Sequence, residues 1–169
     1  MSVVFQNRDE AGRLLAARLQ QYRDDPDALV LALPRGGVAV AYPISVELHL
    51  PLDVFLTRKI GAPENPEYAL GAVSETGNIY LNPEAVSEFR LSYGDLVQLV
   101  EIQREEIRRR QRMYRGSRQP PPLKDRVVIL VDDGIATGAT FFASVEAIRQ
   151  EAPRKLVAGI PVGPIETIA

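Results

Sequence analysis

Two adjacent carboxylates, Asp132 and Asp133, follow the apolar run Val127–Val131 and lead into Gly134-Ile135-Ala136-Thr137-Gly138-Ala139-Thr140. Such a run reads as a strand buried on both faces, typical of a parallel sheet covered by helices. The chain then turns at Gly134 and Gly138, and Phe142, Val145 and Ile148 recur at helical spacing. A loop in that position offers free backbone N–H groups and the positive end of a helix dipole, which suits a phosphate. Thr137 and Thr140 add hydroxyl donors, while Gly134 and Gly138 permit close backbone approach. No lysine lies between Asp132 and Thr140, so the two acids must meet something other than the phosphate. Vicinal ribose hydroxyls fit, since each charge-assisted hydrogen bond to an ionised carboxylate contributes roughly 1.5–3 kcal/mol. A ribose 5-phosphate would then span the motif. The chain has neither G-x-G-x-x-G nor G-K-[ST], which argues against dinucleotide and Walker-type loops.

A second short apolar run, Ala28–Leu33, ends in Pro34-Arg35-Gly36-Gly37 ahead of a further apolar segment. Gly36 and Gly37 let backbone amides close on an anion and Arg35 supplies positive charge, although a solvated turn arginine is the plainer alternative. A third strand, beginning at Leu52, runs into Thr57-Arg58-Lys59-Ile60-Gly61-Ala62-Pro63 and a stretch rich in Gly, Pro, Asn and Glu that reaches Glu75. Long irregular segments inside a compact domain are usually functional lids or disorder.

The elements that position these groups alternate. A helix over residues 8–22, a strand, a helix over 38–48, a strand, an irregular stretch with a hairpin around 72–81, a long helix over 93–114, the motif strand, a helix over 141–150 and a strand over 155–161 are expected. Strands alternating with helices imply an α/β fold: an open parallel sheet flanked by helices, with a lid or hairpin insertion at about 57–82. The 93–114 helix places Leu96, Val100, Ile107 and Tyr114 on one stripe and five arginines elsewhere, with Glu105–Arg109 and Glu106–Arg110 as candidate pairs. That face reads as solvated and self-paired rather than as a nucleic-acid or partner surface.

Composition narrows the chemistry. With 169 residues, 46% hydrophobic and 25% charged, the chain can bury one core, and a single domain over 1–169 is expected. Zero cysteines exclude disulfides, thiolate metal ligands and thiol nucleophiles. The lone His49 sits before Pro51 at a helix end, where a structural role is expected. The N-terminus lacks a signal-like apolar stretch, and no run is long enough to span a membrane. A cytoplasmic location without membrane or nucleic-acid partners is therefore expected, in keeping with the net charge of −2.

Val131-Asp132-Asp133-Gly134-Ile135-Ala136-Thr137-Gly138-Ala139-Thr140 resembles the phosphoribosyl pyrophosphate (PRPP) signature of type I phosphoribosyltransferases. Leu33-Pro34-Arg35-Gly36-Gly37-Val38, Arg58-Lys59-Ile60-Gly61-Ala62-Pro63, Asn65-Pro66-Glu67 and Gly71-Ala72-Val73 resemble a sparsely characterised bacterial branch of that family. The resemblance implies transfer of ribose 5-phosphate from Mg²⁺-bound PRPP to a nitrogenous base with release of pyrophosphate. By the same resemblance, residues 132–140 hold the ribose and 5′-phosphate, and Arg35, Gly36 and Gly37 hold pyrophosphate. Arg58, Lys59, Arg35 and Asp133 are the implied catalytic groups, Mg²⁺ is carried mainly on PRPP's own oxygens, and a homodimer is common in the family. Ala136 stands where 6-oxopurine members carry an acid, which disfavours hypoxanthine or guanine as acceptor. Beyond Pro164 the family's usual C-terminal hood is expected to be short or missing. A non-catalytic module sensing PRPP or a nucleotide is the alternative reading.

Overall fold

The structure, a computed structural model, describes residues 5–135 and 138–164. Its elements run α1 (Arg8–Arg18), a 3₁₀ turn (Gln20–Tyr22), β1 (Ala28–Ala32), α2 (Gly36–Leu48), β2 (Leu52–Val54), β3 (Thr57–Gly61), β4 (Ala69–Ser74), β5 (Ile79–Leu81), α3 (Pro83–Glu88), α4 (Tyr93–Arg115), β6 (Val127–Val131), α5 (Ala139–Gln150) and β7 (Lys155–Gly159). They form two compact units: Met1–Phe55, Pro121–Gly138 and Ile148–Ala169 in the first, Leu56–Pro120 and Ala139–Ala147 in the second.

The first unit is built on a four-stranded parallel sheet in the order β2-β1-β6-β7. Every residue of β1 and β6 is buried, as their unbroken apolar runs require. Ala28, Val30 and Ala32 join Val127, Ile129 and Val131 in a core with Ala16 and Leu19 near α1 and Val40, Ala41, Ile44 and Leu48 of α2. Helix α1 is capped by Asn7, whose side chain accepts from Glu10 N. It approaches α2 so closely that a Cβ on Gly12 would lie 2.3 Å from the Val40 carbonyl oxygen.

The second unit contains the antiparallel sheet β3-β4-β5 and helices α3 and α4. Arg58 pairs with Val73 and Lys59 with Ala72, and the β4–β5 turn places Gly77 at φ 88°. A capping box between Ser92 and Asp95 starts α4, and Gly116 (φ 63°) ends it. Val100 and Ile107 are its buried stripe, while Glu106 holds both Arg109 and Arg110. The expected Glu106–Arg110 pair is present, and Arg109 turns to Glu106 at i,i+3. The Arg115 guanidinium and the Glu75 carboxylate, only 3% and 2% exposed, form a buried ion pair joined by Leu56 N and Gln111 Nε2.

Three features depart from the sequence expectations. The strand starting at Leu52 ends at Val54 and a second sheet starts at Thr57, so the stretch expected to be irregular is largely β3 and β4. The first helix stops at Arg18, ahead of the 3₁₀ turn. Helix α3 was not expected, although Asn82 caps it and Pro83 opens it as a start signal should.

Candidate functional site

Strands β1 and β6 run side by side with Ala32 opposite Val131, so the loops leaving their carboxyl ends emerge together. Open α/β sheets bind ligands at that edge. The two loops are in direct contact: a Cβ on Gly36 would lie 2.1 Å from Asp133 Oδ2, and one on Gly37 would lie 2.7 Å from the Val131 carbonyl oxygen. The glycine pair thus makes room for the acids, in addition to offering the first amides of α2. Arg35 is exposed at the N-cap of α2, and the Pro34–Arg35 peptide is cis.

The two acids have different surroundings. Asp132 is half-buried, and its Oδ1 accepts the Asp133 N–H at 2.9 Å. Burial pushes its carboxyl up to about 6; the Asp133 charge adds to this and the Asp133 N–H bond opposes it. Asp133 is 28% exposed in its side chain, and its Oδ2 accepts from Arg8 Nε at 2.8 Å with Arg8 Nη2 at 2.7 Å. Arg8 belongs to the first turn of α1, and nothing in its local sequence connects it to the motif, so sequence reasoning missed it. Ile135 N donates to the Val162 carbonyl at 3.0 Å, tying the motif to the chain after β7. Ala136 and Thr137 lie outside the described residues. Gly138, at φ 77°, caps α5, and Ala139 and Thr140 lie exposed in its first turn, where backbone N–H groups lack intrahelical partners.

Arg58 and Lys59 lie in the second unit on consecutive positions of β3, so the pleat directs them to opposite faces. Arg58 Nε donates to Gln103 Oε1 at 3.2 Å, and burial, then the Arg110 charge, lowers its guanidinium below the ordinary arginine value. Lys59 Nζ bonds the Glu67 carbonyl at 3.2 Å and its carboxylate at 3.1 Å. His49 takes the left-handed cap of α2 and bonds Asp24 at 2.8 Å, a structural position. Among the described residues, no helix is long and apolar enough to cross a membrane.

A glycine-lined turn and an adjacent pair of acids thus meet at the carboxyl edge of a parallel sheet. The chain belongs to the phosphoribosyltransferase family: residues 5–163 match the phosphoribosyl transferase domain. It is 40% identical over 166 residues to "Putative phosphoribosyl transferase Rv0571c" of Mycobacterium tuberculosis, covering 98% of this chain and 37% of that protein. The chain therefore spans a little over a third of that relative's length. The crystal structure of TT1426 from Thermus thermophilus is 42% identical with a TM-score of 0.81, covering 98% of this chain and 78% of that one. A hypoxanthine phosphoribosyltransferase of Staphylococcus aureus shares the fold at 10% identity and a TM-score of 0.58, over 94% of this chain and 64% of that one.

Proposed function

We propose that the protein transfers ribose 5-phosphate from PRPP to a nitrogenous base and releases pyrophosphate. The observation that carries this reading is the contact between the Gly36–Gly37 turn and the Asp132–Asp133 pair at the carboxyl edge of the sheet. Asp132 and Asp133 would accept the ribose hydroxyls and lend negative potential beside the ring as positive charge develops at C1. Gly134, Ile135, Ala136, Thr137, Gly138, Ala139 and Thr140 would surround the 5′-phosphate with backbone amides and hydroxyls. Gly36 and Gly37 amides, with the exposed Arg35, would receive the leaving pyrophosphate. Of the two cations on opposite faces of β3, Lys59, released from the exposed Glu67, would supply further positive charge to the leaving group, while Arg58 holds Gln103. The acid pair offers hard oxygen donors that suit Mg²⁺, and two carboxylates are too few for an all-protein cage. Carried on PRPP, the ion would neutralise pyrophosphate charge.

Titration calorimetry with PRPP, with and without Mg²⁺, followed by pyrophosphate release across purine, pyrimidine and pyridine bases, tests the proposal. Acceptor-dependent release is expected. Absence of PRPP binding refutes the site assignment, and binding without release from any base favours the sensing alternative.

A further inference from the structure

We propose that Arg8 is a positioning residue for the diol site: it clamps one oxygen of Asp133 and leaves the other turned toward a ribose hydroxyl. The inference rests on the function proposed above. Arg8 Nε and Nη2 both address Oδ2, at 2.8 and 2.7 Å. No other cation or N–H group of the described residues is bonded to the Asp133 carboxylate, whose one remaining close neighbour is the acidic side chain of Asp132. A carboxylate held by a single oxygen has a fixed plane and one acceptor still available, which is what recognition of a single hydroxyl needs.

The guanidinium is held in place by the fold. Asn7 caps α1 just before Arg8, and Gly12 seats the helix on Val40 and Pro43 of α2. Helix α2 in turn begins at Gly36, against which Asp133 lies. The arginine, the glycine and the carboxylate therefore belong to one packed arrangement in the first unit. Arg13, the next cation along α1, is taken by Asp9 and Glu47, which leaves Arg8 for Asp133. A cation at this point also offsets the repulsion between two carboxylates on consecutive residues. As a stabilising contact the pair counts for little, since the Arg8 side chain is 61% exposed. Its value lies in aiming Asp133.

The test compares wild type, Arg8→Gln and Arg8→Lys by titration with Mg²⁺–PRPP, ribose 5-phosphate and pyrophosphate, with a thermal melt of each protein. Arg8→Gln is expected to weaken PRPP and ribose 5-phosphate by about tenfold, one charge-assisted hydrogen bond's worth. It should leave pyrophosphate binding and the melting temperature unchanged, and Arg8→Lys should recover part of the ribose-dependent loss. Wild-type affinity for ribose 5-phosphate in Arg8→Gln would overturn the inference and leave the functional reading standing. So would an equal loss for pyrophosphate, which would make Arg8 a direct anion ligand. Failure of wild type to bind PRPP or ribose 5-phosphate would remove the functional reading and this inference with it.

Discussion

Replacing Gly36 with alanine should cripple substrate binding while leaving the fold intact. The added Cβ would lie 2.1 Å from Asp133 Oδ2, 2.3 Å from its Cγ and 2.7 Å from Oδ1. Those separations are well short of the ~3.5 Å at which atoms meet without repulsion. All three obstructing atoms belong to one side chain, so the relief is rotation of the carboxylate away from Arg8 and from the ribose position. The loss is then one charge-assisted hydrogen bond, roughly 1.5–3 kcal/mol, or about 10- to 100-fold in PRPP affinity. Gly37→Ala is the matched control, because its Cβ meets the Val131 carbonyl oxygen at 2.7 Å and Asp132 Cα at 3.1 Å. There the end of β6 must move, an overpacking cost of about 1–3 kcal/mol, seen as a fall of roughly 2–10 °C in melting temperature. Calorimetric titration with Mg²⁺–PRPP and a thermal melt of both variants provide the comparison. Wild-type PRPP affinity in Gly36→Ala would refute the reasoning, as would equal losses of stability in the two.

Further outcomes follow from the same geometry. The Asp132 carboxyl lies at about 6 in the folded protein, above its unfolded value near 3.9. The folded state therefore binds the proton more tightly, so this group's contribution to stability falls as pH rises from about 4 through about 6. Denaturation midpoints of wild type and Asp132→Asn across pH 4–7 check it, and a constant difference between them would count against it. Asp132→Asn combined with Asp133→Asn should abolish PRPP binding, measured by calorimetry, with the fold retained by circular dichroism. Arg115→Met should cost about 3–5 kcal/mol in urea denaturation, because it leaves the Glu75 carboxylate buried without its cation. Lys59→Ala should lower turnover far more than PRPP affinity, and equal losses in both would argue against catalysis.

Much of the first unit was readable because its signals are local. Val127–Val131 and the segment containing Ala28–Ala32 are short, apolar without a break and rich in β-branched residues and Leu, as strands buried on both faces of a parallel sheet require. The break after Val54 was not readable, since Leu52-Asp53-Val54-Phe55-Leu56 continues in strand-forming residues. It is set by distant partners: Phe55 N donates to Ala32 O, and Leu56 N to the Glu75 carboxylate 19 residues away. The basic pair was legible as a pair of charges, but which face each takes depended on the register of β3. Helix α3 carried its signals at Asn82 and Pro83, yet at six residues it is too short for apolar periodicity to register.

The site divides along the same line. Asp132 and Asp133 read from sequence as two equal acceptors for one diol, because adjacent residues of one type carry no mark of difference. Their difference comes from elements remote in sequence: burial at the end of β6 acts on one, and an arginine 125 residues away acts on the other. A half-buried carboxylate near its titration point and an ion-paired one are unequal hydrogen-bond acceptors at neutral pH. The ribose hydroxyl facing Asp133 would then be gripped by a charge fixed in place, while the one facing Asp132 would be gripped by a carboxylate whose ionisation the bound ligand itself promotes. On the proposed function, Asp132 would then be a source of pH dependence, and the Arg8-held Asp133 would orient its hydroxyl. Asparagine at Asp132 should accordingly remove the protein's share of the pH dependence of PRPP affinity, whereas glutamine at Arg8 should weaken PRPP binding without restoring or reversing it. Binding isotherms for both variants between pH 5 and 8 separate the two effects, and identical pH profiles for wild type and Asp132→Asn would refute the division of roles.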